Sequence, residues 1–172
     1  MMSETSKGRT VTIDPALLSV RAARPARPVH EDISEERISD LVESFYAAIR
    51  SHERLGPLFE EKVAGDWAPH LARMKMFWRS VLLKTGEYHG QPVPKHLAIL
   101  QLESDDFRLW LDLFRQHAHE RFDAEAADLI VQAAERIAQS LWLAKFGTPD
   151  NSVPAWMKSR DTARTGEIET EC

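Results

Sequence analysis

Apolar residues recur with the period of an α-helix through almost all of the central chain, and no stretch alternates with the period of a strand. Ile38, Leu41, Val42, Phe45, Tyr46 and Ile49 fall at i, i+3, i+4, i+7, i+8 and i+11. That spacing places all six on one stripe of a helix. Trp67, His70, Leu71, Met74, Phe77, Trp78 and Val81 form a second stripe, Phe107, Trp110, Leu111, Phe114 and Ala118 a third, and Ile130, Ala134, Ile137 and Leu141 a fourth. Asp32 followed by Glu35 predicts a capping box at the head of the first helix. Gly56-Pro57, Gly86 and Gly147 punctuate the stripes, and Pro92 and Pro94 predict a loop leading into His96. The class is all-α.

The stripes lie between residues 32 and 146, and a length of 172 residues suits one domain with extensions. Residues 1–31 and 147–172 have no period that could bury a face and read as flexible tails. A formal charge of −5 argues against nucleic acid as a partner, because phosphate binding draws on concentrated Lys and Arg. No apolar run approaches the roughly 20 residues that span a bilayer, so no membrane role is expected. The N-terminal stretch with Arg21, Arg24 and Arg27 lacks the apolar segment of a secretory signal. Cys172 is the single cysteine, which allows no intrachain disulfide and suggests a reducing, cytoplasmic setting.

Two stripes are unusual for a plain helical bundle. Bundle cores favour aliphatic side chains, because Trp and Tyr bring a polar atom that needs a partner. Here Tyr46, Trp67, His70, Phe77, Trp78 and Trp110 all point inward. So much flat surface suggests a flat guest. His96, framed by prolines at the head of an apolar run, either fills a gap in the core or ligates something. A flat guest and one isolated histidine together specify a haem pocket, in which an imidazole binds iron and aromatic walls exclude water.

Four segments in register carry a family resemblance. FYAAIRSHERLGPLF (45–59), WAPHLARMKMFW (67–78), LLKTGEYHGQPVPKH (82–96) and FRLWLDLF (107–114) resemble the group III truncated haemoglobins. The glycine pairs that flank helices in groups I and II are absent. The resemblance covers about 32–146 and neither tail. It implies a two-over-two helical sandwich around haem b, with the ligating histidine on a short or irregular segment. It further implies that His96 is the proximal iron ligand, and that Tyr46, Trp110 and His70 face the bound gas on the distal side. Phe45, Phe59, Met74, Phe77 and Trp78 would pack the haem, and Trp67 would be packing only. Tyr46 and Trp110 can each donate a hydrogen bond to a diatomic ligand, which would slow its loss.

The resemblance thus points to reversible binding of dioxygen, nitric oxide and carbon monoxide. Reaction of oxygen with nitric oxide, or of peroxide, would need an external reductase, because no flavin or nicotinamide motif is present. Simple oxygen storage or delivery, and a haem-free helical interaction module, are the alternatives. His89, Lys95 and Arg73 are candidates to meet a haem propionate. His30, His52, His117 and His119 read as solvated.

Overall fold

The computed structural model describes residues 28–148 and 153–157. Among these the elements are helices: α1 (Glu35–Ser51), α2 (Leu55–Val63), α3 (Trp67–Leu82), α4 (Pro92–Leu97), α5 (Ser104–Arg121) and α6 (Ala124–Phe146), with a 3-10 turn at Ala155–Met157. The expected N-terminal extension lies outside the described residues from 1 to 27, Arg21, Arg24 and Arg27 included. So do 149–152 and 158–172, with Cys172. Within the stretch expected to be a C-terminal tail, Met157 is buried against the core.

The first stripe matches expectation residue for residue: α1 buries Ile38, Leu41, Val42, Phe45, Tyr46 and Ile49. Its cap does not. Ser34, not Asp32, is the N-cap, and its hydroxyl accepts from the Arg37 N–H at 3.3 Å. Asp32 is drawn away by two other partners. It pairs with the Arg37 guanidinium, and it accepts the Asp123 N–H at 3.1 Å, joining the entrance of α1 to that of α6.

The α1–α2 corner is tight. His52 Nδ1 accepts the backbone N–H groups of Arg54 and Leu55, each at 3.2 Å, and so does the work of a cap. A Cβ on Gly56 would lie 2.7 Å from the Arg50 carbonyl oxygen, so only glycine lets α2 start this close to the end of α1. Helix α2 ends at Ala64 in the left-handed region, φ 53°.

Helix α1 lies against α3, α2 and α5, while α5 pairs along its length with α6. The α1–α3 pair therefore stacks over the α5–α6 pair, with α4 held against α6. Ala126, Ala127, Ala134 and Ala138 of α6 are buried, and small side chains there permit a close approach to α5. The seam between the layers is aromatic. Phe45 meets Phe114 edge-on at 5.2 Å, and Trp78 stacks on Phe114 at 4.7 Å. Each such fully buried side chain contributes about 1.5–3 kcal/mol.

The segment before His96 differs from expectation. Pro92 to Leu97 is a short helix, not a loop. Pro92 stands at its first position, where the missing N–H would have had no intrahelical partner. Pro94 is third, still within the four residues whose N–H groups are orphans in any helix. Two prolines that would break a helix interior are harmless at its start.

Candidate functional site

The layers do not meet everywhere. Between α1, α2 and α3 on one side and α4, α5 and α6 on the other lies a cavity of about 480 Å³, within the range that accommodates small ligands and cofactors. Tyr46, Phe59, His70, Met74, Phe77, Trp78, His96 and Trp110 all line it. Sequence reasoning placed all eight at one site, and the fold brings them to one space. Phe45 is the exception among the expected packing residues. It is buried behind the wall, edge-on to Tyr46 at 5.1 Å and to Trp110 at 5.2 Å, and supports both without lining the cavity.

His96 is held by its own helix. Its Nδ1–H donates to the Pro92 carbonyl at 2.7 Å. That bond fixes the tautomer and leaves Nε2 as the nitrogen with a lone pair to offer. Burial pushes the imidazole pKa down, against the raising effect of the Pro92 bond, so the ring is neutral near pH 7. On the opposite side, His70 meets Tyr46 edge-on at 5.0 Å. His70 Nε2 is buried without a hydrogen-bond partner. Burial, with Arg73 and Lys95 nearby, lowers its pKa and keeps it neutral too.

Burial raises the Tyr46 phenol well above its ordinary pKa, with Tyr88 adding to the effect, so it remains a protonated donor. Trp110 lies flat on Phe114, centroids 5.1 Å apart and planes 6° apart, which fixes its indole plane. Trp67 is packing. Its Nε1 donates to Glu60 at 2.8 Å, and the Arg50 guanidinium lies 4.8 Å over its ring.

Of the cations considered for the site, Arg73 and Lys95 line the cavity, whereas His89 is exposed and off its wall. Lys62 and Tyr88 also line it and had not been singled out for that role. Among the four histidines expected in solvent, His119 is exposed, but His30, His52 and His117 are half-buried. Each of these three has its Nδ1 engaged by a backbone or arginine neighbour.

Sequence reasoning also missed Asp106, the one charged side chain among the described residues that is buried. Arg54 grips it with two bonds, Nε to Oδ1 at 2.7 Å and Nη2 to Oδ2 at 2.8 Å. Nothing in the local pattern marks Asp106 as different from Asp105 beside it. Only its register with Phe107 and Trp110 on the third stripe hints at an inward position.

An all-α sandwich with a flat-walled cavity between its layers, and one imidazole from a short helix at that cavity, defines a globin. No family model matches the chain. A curated relative, the group 3 truncated hemoglobin ctb of Campylobacter jejuni, is 34% identical over 122 residues, covering 68% of this chain and 96% of the relative. The crystal structure of group III truncated hemoglobin from Campylobacter jejuni superposes with a TM-score of 0.65 at 32% identity, covering 68% of this chain and 94% of that one. The chain belongs to the group 3 truncated haemoglobin family. Membership implies a haem group and a small diatomic ligand. No helix among the described residues is long and apolar enough to cross a membrane.

Proposed function

We propose that residues 32–146 form a haem domain holding haem b, with His96 as the proximal iron ligand and Tyr46, Trp110 and His70 facing a diatomic gas. The residues present fit that group. The walls are flat and largely apolar, one imidazole nitrogen has a lone pair to offer, and His70 Nε2 is a buried polar atom lacking a partner. A buried polar atom left unsatisfied costs about 1–3 kcal/mol, so a polar guest at that spot would relieve it. Bound there, haem would supply a metal centre with one coordination position open to a small ligand.

The chain's own residues do the rest. Pro92 orients the His96 ring through Nδ1, the outer contact that tunes a metal-bound imidazole. Tyr46 and Trp110 present neutral donors that keep their protons through the physiological range. Phe59, Met74 and Phe77 exclude water, which strengthens any hydrogen bond made inside. Arg73, Lys95 and Lys62 line the cavity and would offer positive charge to the carboxylates of a flat guest. Two neutral donors, which would slow ligand loss, suit a protein that holds dioxygen for reaction with nitric oxide, or that handles peroxide, with electrons from a separate reductase. The single cysteine at position 172 accords with a cytoplasmic setting.

The observation that carries this reading is the bond from His96 Nδ1 to Pro92, since it presets the other nitrogen. A His96→Ala variant is expected to lose the ligated absorption spectrum and to regain it when imidazole is added. A variant that keeps the wild-type spectrum would sink the assignment. A wild-type protein that takes up no haem at all would instead favour an interaction module.

A further inference from the structure

We propose that Arg54 and Asp106 are positioning residues that set the placement of Trp110 at the site, and through it the residence time of the diatomic ligand. The proposal rests on the haem reading above. Asp106 and Trp110 are one turn apart on α5 and both line the cavity. Asp106 is only 3% exposed, and three bonds converge on its carboxylate: two from Arg54 and the Glu103 N–H at 2.8 Å. Arg54 sits at the α1–α2 corner, so its fork ties the start of α5 to the helix that carries Tyr46. The same Nη2 donates to the Gln101 carbonyl at 2.8 Å, in the linker that leaves the His96 helix. One guanidinium thus joins the three segments that bear Tyr46, His96 and Trp110.

Asp106 gives up its solvation here while Arg54 stays largely in solvent, so desolvation of the carboxylate offsets part of the Coulomb gain. What the pair offers is directional: a planar fork meeting a carboxylate has one geometry, which a sliding Leu or Met contact lacks.

The test compares Asp106→Asn and Arg54→Lys with Ile130→Val, a buried change away from the cavity wall. In haem-loaded protein, the stretching frequency of bound carbon monoxide reads the donors around it, and stopped flow reads dioxygen loss. Both site variants are expected to broaden or shift the band and to speed dioxygen loss about tenfold, equivalent to 1.4 kcal/mol. Arg54→Lys keeps the charge and loses the fork, so it tests geometry where Asp106→Asn also removes charge. Ile130→Val is expected to leave band and rate unchanged while lowering stability. Wild-type values in both site variants would overturn the proposal, and so would an equal shift in Ile130→Val. If the wild type took up no haem, the haem reading would fail, but the near-ultraviolet circular dichroism of the colourless protein would still decide. A weakened aromatic band in Asp106→Asn and not in Ile130→Val supports the placement of Trp110 by this pair, and identical spectra overturn it.

Discussion

The inward faces of α1 and α3 carry the same helical pattern and meet different fates. On α1, Ile38, Leu41 and Ile49 are sealed completely, each at 0% exposure. On α3, His70, Met74 and Phe77 occupy equivalent stripe positions and stay half-buried, because they face a cavity rather than another helix. Periodicity reports which side chains turn inward. It does not report whether the interior they turn toward is filled by protein. What distinguishes the two stripes in sequence is chemistry: aliphatic residues dominate the first, and His, Met and aromatic residues dominate the second.

The sharpest way to break this contrast is to truncate a ring on each side. Phe45→Ala should cost about 3–5 kcal/mol in denaturant unfolding of the haem-free protein, since Phe45 is locked among Tyr46, Trp110 and Phe114. Phe77→Ala should cost clearly less, because its ring already borders open space. Equal losses would mean that the cavity wall is packed as tightly as the core.

Ligand retention is the next measure. Removing the Tyr46 hydroxyl deletes a donor whose hydrogen bond to a charged acceptor is worth about 1.5–3 kcal/mol. Tyr46→Phe should therefore speed dioxygen dissociation on the order of ten- to a hundredfold. An unchanged rate would remove Tyr46 from the site. Unfolding of the haem-free protein should barely change, since the hydroxyl supports no other part of the fold.

The smallest effect concerns protons. His70 on the cavity side and His117 on the sealed side are both shifted downward, mainly by burial; at His117 Arg121 adds to the shift and Glu120 opposes it. Their folded states bind a proton less readily than the unfolded chain does. The stability they contribute is therefore present above the unfolded value of about 6.5 and is lost as pH falls through their folded values. The denaturation midpoint of the haem-free protein should drop between neutral and mildly acidic buffer, and His117→Gln should flatten that drop. A variant whose profile overlays the wild type would exclude His117 as a source.

Much of this molecule is legible in its sequence. The four stripes fixed the all-α class, and the aromatic content of the second and third pointed to a flat guest. The cap of α1 was misread because Ser34 and Asp32 are chemically equivalent candidates. The Arg37 guanidinium and the distant Asp123, which both claim Asp32, decide between them. The helix at Pro92 was hidden because prolines argue for a break unless they fall in the first turn. Phe45 belongs to the same stripe as Tyr46 but points into the seam, a distinction of one helical position that only packing resolves. Asp106 was invisible for a deeper reason: its partner Arg54 lies 52 residues away, on another helix corner.

The prolines that begin α4 have one more effect. Each ring pins its own backbone angle, so the turn whose oxygen orients the imidazole has little conformational freedom of its own. On the proposed reading of His96, little disorder would remain there to be frozen out as the pigment is taken up. The ordering cost of uptake would then fall mainly on the surrounding walls.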